Sequence, residues 1–567
     1  MLYILLPLAL ASAVGLKWRR PAYVIMAVSS AAFVVQGALA FRVEHLAIFL
    51  SVAGFVWLIS AIANQRDDDR WLPSLMALSL LGMAMALTST NYLSFLTGWE
   101  VMTVPAYVEI GLHRRLSYPA FVFMAFSELS TVLLVGGFSL AYSQTGMVEF
   151  VPLHTDLPLD VLAFGFAVKM GILPFMVTEW LPLAHGSAPS RLSAVLSASM
   201  TLVALFGLYK MSLLSPQDLP LGWALMSIGG FTVLFGALFA YISDHVKGLL
   251  GFSTVENDGA LLATLGALEV APVHSLALMA SFVLAAYAVA HSTAKTGLFL
   301  LAGKGYGESI SMASWRTSSW SKLGVVLLTS SMSGLLPTVG GVATWGLLEV
   351  FFAEAALIPG LTGLIPLFTG IAIALGEGFA TGAMLRLSSF LQLFRGVKGE
   401  SYPVVMTSGV IVLVLGLVIY LLSPFRIGAP SLGLPQGSMI AVKLNGSVFG
   451  AISPVFVALT LASGFAMTVL VAGPRRSRTV RTWNHGRSHQ KYTSYGFSNN
   501  VRLMLRQLLE RGAAGDVDLF WRGIYMLART YVGTSKKITR MYMNGSISWY
   551  VIYMILAVLL VLVVMSL

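Results

Sequence analysis

Apolar stretches close to the length that spans a bilayer, about 20 residues, recur from Leu2 almost to the end of the chain with no long polar domain between them. Few folds remain open to such a chain. In hydrocarbon every backbone N–H and C=O must find its partner within the protein, and segments of this length do so as helices. Only 10% of the residues are charged and 57% are hydrophobic, whereas an ordinary soluble domain carries roughly 25% charged residues. The sequence therefore predicts an all-α polytopic membrane protein. The opening stretch MLYILLPLALASAVGLKWRR has no basic residues ahead of its apolar run, so it reads as a first span and not as a cleaved signal.

Sixteen crossings are expected. With both termini outside, KWRR (17–20), HRR (113–115), RGVKG (395–399) and the segment 474–540 all fall on the cytoplasmic side, as the positive-inside rule requires. The count makes 322–357 a single crossing broken at GLLPTVGG (334–341), where proline and paired glycines supply the break. GLLP (334–337) echoes GILP (171–174) in spans of opposite direction, which fits either two broken helices of inverted halves or two independent kinks. The expected parts are N-terminal helices 1–71, a first repeat 72–213, a second repeat 220–395, further core helices 396–473, a basic segment 474–547 and a final span 548–567.

The net charge of +11 points away from nucleic acid once it is located. Residues 474–540 hold fourteen basic residues against three acidic ones, which is the whole excess. Leucines and other apolar residues alternate with the basic ones over 500–540 at helical spacing, the pattern of a helix lying along a lipid surface or a partner subunit. There is no cysteine, so disulfides and cysteine-ligated iron–sulfur clusters are excluded and any linked electron transfer belongs to a partner. No phosphate loop, dinucleotide turn or HExxH site is present, which argues against an ATP-driven pump or an intramembrane metalloprotease.

Ionisable residues at mid-membrane are costly and usually face a wet cavity. Glu100, in FLTGWEVMTVP, and Lys169, in GFAVKMGILPF, both sit in mid-span. Burial opposes the charge of a lysine and a nearby carboxylate favours it, a balance that lets the group gain and lose a proton; a static salt bridge between helices is the alternative. His291 and Lys295 are four residues apart and share a helix face, which suits a proton relay or a plain interhelical hydrogen bond. Asp244, Lys247 and Glu256 lie near a cytoplasmic helix end, as interfacial anchors or as a proton entry.

These residues carry a family likeness. KMGILPFMVTEWLPLAHGSAPSRLSAVLS (169–197), TGWE (97–100), DHVKGLLGFSTVENDG (244–259) and HSTAKTGLF (291–299) resemble the antiporter-like membrane subunits of the respiratory complex I and membrane-bound hydrogenase superfamily. STVEN (253–257), TWNHGRSHQKYTSYGFSNNVRLML (482–505) and GSISWYVIYMI (545–555) are similar to the large membrane subunit of hydrogenase-4 and formate hydrogenlyase. The resemblance implies an inverted-repeat bundle with no cofactor of its own. It implies partners too: other membrane subunits, and a peripheral hydrogenase-like or quinone-reactive module whose redox chemistry drives protons or Na+. By that carry-over Glu100 tunes Lys169, the central carrier, and His291 with Lys295 links the two halves.

The departures are specific. The lysine or histidine that usually bridges the halves is replaced by Leu202, and the usual lysine or glutamate after the second break is replaced by Thr344. Glu349 or Glu354, farther along that helix, are candidates to replace it as terminal carrier, and Glu377 lies in the next span. The leading expectation is a proton-translocating, or Na+/H+-exchanging, subunit of a redox-driven complex in the cell membrane. The competing one is a structural scaffold with a vestigial ion path. A free-standing symporter is the third.

Overall fold

The computed structural model describes residues 2–452 except 42–44, 66–67, 114–116, 173–179, 244, 304–317, 390–400, 423–425, 430–433 and 445–446, together with scattered positions over 459–470 and 526–537. The chain forms two compact units, Met1–Arg502 and Leu503–Leu567. Every element below belongs to the first. In the second, the described positions between 526 and 537 are helical and exposed; the rest of the basic segment and the expected final span lie outside the described residues.

Helices α1 (Leu2–Gly15), α2 (Arg19–Ala40), α3 (Ile48–Ile62), α4 (Leu72–Leu87), α5 (Tyr92–His113) and α6 (Ser117–Thr145) precede the first break. Next come α7 (Leu157–Met170), α8 (Trp180–Ser187), α9 (Ser190–Val195), a π-helical turn (Leu196–Met200) and α10 (Thr201–Ser212). The remaining helices are α11 (Leu219–Ile242), α12 (Val246–Val270), α13 (His274–Ala302), α14 (Ser319–Met332), α15 (Val339–Leu357), α16 (Leu364–Ser389) and α17 (Pro403–Leu422). Among the described residues eight helical stretches are long and apolar enough to cross a membrane, with three shorter apolar helices beside them.

Both expected breaks occur, and they share one local cause. Helix α7 stops at Gly171 with φ +71°, and α14 is followed by Gly334 with φ +61°. Only glycine takes this left-handed conformation without steric cost. GILP and GLLP thus end their helices in the same way. Thr338 then starts α15, its hydroxyl accepting from the Gly341 N–H at 3.3 Å, an ordinary N-cap.

Between α11 and α12 small residues set the spacing. A Cβ at Gly229 would stand 2.5 Å from the Gly259 carbonyl oxygen, and one at Gly236 would stand 2.6 Å from the Glu256 nitrogen. Backbones therefore touch there, the packing that lipid-embedded helices favour, and this contact fixes where Glu256 sits.

The architecture is nearly all helical, as expected, with one local exception. Arg426–Ala429 (β1), Leu434–Leu444 (β2) and Ser447–Ile452 (β3) form a small antiparallel sheet in the order β1-β2-β3. The crossing expected over 448–472 begins with β3 instead of a helix. Stretches such as SMIAVKL and SVFGAI mix β-branched residues with small ones, which a pleated strand accepts as well as a membrane helix does.

Candidate functional site

Lys169 occupies the last turn of α7, 1% exposed. Its ammonium donates to Thr103 Oγ1 on α5 at 2.8 Å and to Ser127 Oγ on α6 at 2.9 Å. The rings of Phe123 and Trp99 lie 5.1 and 5.5 Å from it, within cation–π range. Glu100, half-buried one turn before Thr103, accepts from Thr131 Oγ1 at 2.6 Å. Thr131 also donates to the Ser127 carbonyl. The expected pair is therefore joined through hydroxyls of α6 and not by a direct salt bridge. Glu128, on that same helix, is a second carboxylate whose charge acts on Lys169. Sequence reasoning passed over it because it reads as one polar residue in a lipid-facing helix.

The middle of the bundle holds a second polar group. The π-helical turn Leu196–Met200 takes its backbone out of the regular α ladder, a local irregularity that recurs at functional sites. The Ser197 carbonyl lies 3.1 Å from His291 Nε2 and also accepts from Thr201 Oγ1. Ser197 Oγ and Thr254 Oγ1 are 2.7 Å apart. Thr254 Oγ1 and the Lys295 ammonium both donate to the Leu250 carbonyl, at 3.0 and 2.9 Å. Lys295 is fully buried and acted on electrostatically by Glu256 and Asp258. His291 and Lys295 thus face one junction of the π turn, α12 and α13, as their four-residue spacing predicts. His185, whose ring lies tilted against Phe299 with centroids 4.5 Å apart, is buried with neither ring nitrogen hydrogen-bonded. Lys295, Lys247 and His291 all act on it, a grouping that no local pattern signals.

A third cluster surrounds Thr344. Its hydroxyl donates to Glu377 Oε1 at 3.2 Å, and the Tyr287 hydroxyl points to the same oxygen at 3.5 Å. These residues, with His291 and Asn257, line a cavity with room for water centres of about 10 Å³, the scale of one water molecule. Glu377 Oε2 and Glu256 Oε2 are buried without a hydrogen bond. Glu349, the expected terminal carrier, is half-buried on α15 and does not line this cavity. Glu354 is buried farther along α15 with neither oxygen bonded. Leu202 is buried on α10. Lys247 donates to the Ala188 carbonyl at 2.7 Å. Asp244 lies outside the described residues.

The structure resembles a chain of the membrane-bound sulfane sulfur reductase, an archaeal respiratory membrane complex, with a TM-score of 0.73 at 16% identity over 99% of this chain and 100% of that one. It resembles a chain of the Mrp complex from Dietzia sp. DQ12-45-1b with a TM-score of 0.63 at 16% identity, covering 74% and 93%. A chain of respiratory complex I from Thermus thermophilus aligns with a TM-score of 0.57 at 19% identity, covering 73% and 97%. In sequence, hydrogenase-4 component B of Escherichia coli is 32% identical over 205 residues, which span 34% of this chain but only 30% of that relative. NAD(P)H-quinone oxidoreductase chain 4 of a Synechococcus species is 25% identical over 61% of this chain and 67% of its own length. Residues 89–390, more than half of the chain, match the NADH:quinone oxidoreductase/Mrp antiporter transmembrane family, and the chain belongs to that family.

Proposed function

We propose that this chain translocates protons as one subunit of a redox-driven membrane complex, with other membrane subunits and a peripheral redox module as partners. The observation that carries the reading is the setting of Lys169: enclosed, yet bonded to two hydroxyls and to no carboxylate. A hydroxyl can accept from an ammonium or donate to a neutral amine, so this nest accommodates both protonation states. A direct ion pair would hold the charge in place.

Glu100 and Glu128 are the groups whose charge biases Lys169. His291 and Lys295 pass the proton across the junction with α12, with Glu256 alongside and Lys247 toward the entry. The hydroxyls of Ser197 and Thr254 and the ring of His185 stand in for the ionisable side chain that Leu202 replaces. Glu377, aimed by Thr344, is the terminal carrier in place of Glu349. The basic 474–540 segment faces the cytoplasm. Sodium is the alternative cargo.

The test is redox-driven acidification in proteoliposomes that hold the native complex. Lys169→Ala should abolish it while leaving assembly and redox turnover intact. Normal pumping by Lys169→Ala would remove the proposal. Uptake of radioactive sodium in the same vesicles decides the cargo. A scaffold role has one observation in its favour, the buried apolar Leu202. It predicts that no substitution along the polar axis changes ion movement while loss of 474–567 dissolves the complex.

A further inference from the structure

At one end of α5, away from this polar axis, we infer that Asp69, Glu109 and His113 bind a divalent transition cation of the zinc class. Glu109 and His113 are four residues apart on the last turns of α5, so both side chains lie on one helix face. Asp69 reaches them from the segment that leads into α4. One ligand atom from each of the three lies within 4.8 Å of the other two.

The details favour a cation over an ordinary ion pair. His113 Nδ1 and Asp69 Oδ2 are 3.3 Å apart. A charge-assisted hydrogen bond would bring them to about 2.7–2.9 Å. Two ligands of a tetrahedral ion with bonds of about 2.0–2.1 Å stand roughly 3.3–3.4 Å apart, which is the spacing found. Asp69 Oδ1 is already occupied, accepting from the N–H groups of Trp71 at 2.9 Å and Leu72 at 3.0 Å. That bond orients the carboxylate and leaves Oδ2 to face the other two residues, as a supporting hydrogen bond does for a metal ligand.

Glu109 is the independent sign of a ligand. Its carboxylate is fully buried, and neither oxygen receives a hydrogen bond. The carboxylate of Asp69 and the imidazole of His113 are among its neighbours. Among the described residues Arg191 is committed elsewhere: it pairs with Asp68 at 2.7 Å and binds the carbonyls of Ala61 and Ala63. Two carboxylates facing each other with no donor among the described residues need a cation or a shared proton. One imidazole among the ligands selects zinc-like ions over magnesium or calcium, which take oxygen.

The experiment uses the native complex in detergent, stripped with a chelator, supplied with Zn2+ alone, and analysed for metal content and thermal midpoint. Wild type should retain one more zinc per chain than Glu109→Gln and should gain thermal stability on zinc addition, while magnesium has no effect. Glu109→Gln keeps the shape of the side chain and can donate to Asp69, so folding is preserved. Its apparent affinity should fall at least tenfold. If Glu109→Gln does not assemble, His113→Gln, at the less buried edge of the site, gives the same comparison. Equal zinc content in wild type and variants, or a wild type that retains none, overturns the inference and leaves a proton shared between Glu109 and Asp69.

Discussion

Replacing Glu377 by glutamine tests the proposed terminal carrier. The change conserves shape. The new amide oxygen can still accept from Thr344, 3.2 Å away, and Tyr287, at 3.5 Å, contributes little at that distance. A hydrogen bond to a charged acceptor is worth about 1.5–3 kcal/mol and a neutral one about 1, so stability falls by roughly 1 kcal/mol from this bond. Against that, the protein no longer buries a carboxylate whose second oxygen has no partner, a saving of at least similar size. The thermal midpoint should stay level or rise. Transport should respond in the other direction, because a proton entering the cavity finds no carboxylate to receive it. Removing a positioned proton acceptor slows such a transfer by roughly 100-fold or more. The assay is the quench of a pH-sensitive acridine dye in proteoliposomes, with redox turnover followed in parallel. Pumping within twofold of wild type at a normal protein level would refute the assignment of Glu377 and return attention to Glu349.

Thr344→Val leaves the carboxylate but removes the hydroxyl that aims it, so its pumping should fall between wild type and Glu377→Gln in the same dye assay. Gly236→Ala sets a methyl 2.6 Å from the Glu256 nitrogen. Overpacking of about 1–3 kcal/mol exceeds the roughly 1 kcal/mol of helix propensity regained, so the melting point in detergent should drop. Arg191→Lys gives up a fork that holds Asp68 and the carbonyls of Ser60, Ala61 and Ala63, tying α9 to the end of α3. It should cost at least about 2 kcal/mol, read as a lower melting point with the charge unchanged.

The helical membrane character was legible because hydrophobic length is a one-dimensional property, and both breaks were legible because glycine and proline announce themselves; the count of sixteen crossings goes beyond the eight stretches found among the described residues. Lys169, His291 and Lys295 stood out as charges in apolar surroundings. What surrounds them did not. Thr103, Ser127 and Thr131 look like any hydroxyl residue in a membrane helix, and only the packing of α5, α6 and α7 brings them to one ammonium. Sequence spacing favoured Glu349 over Glu377 because Glu349 shares a helix with Thr344, yet the neighbour that meets Thr344 comes from α16. Glu109 escaped notice for the opposite reason: it lies near a helix end, where a carboxylate is unremarkable until its burial is known. The sheet over 426–452 was missed because its residue types suit lipid and strand alike.

The early stop of α7 has one more effect. A helix that ends within the buried interior of the bundle leaves its last carbonyls gathered at the stump, equivalent to about half an elementary negative charge. Lys169 occupies that last turn. Part of what retains a cation there is therefore main chain, and a scan that truncates side chains one by one will undercount it. Moving the stop itself, by replacing Gly171 with a residue that disfavours φ +71°, would reach the part such a scan leaves intact.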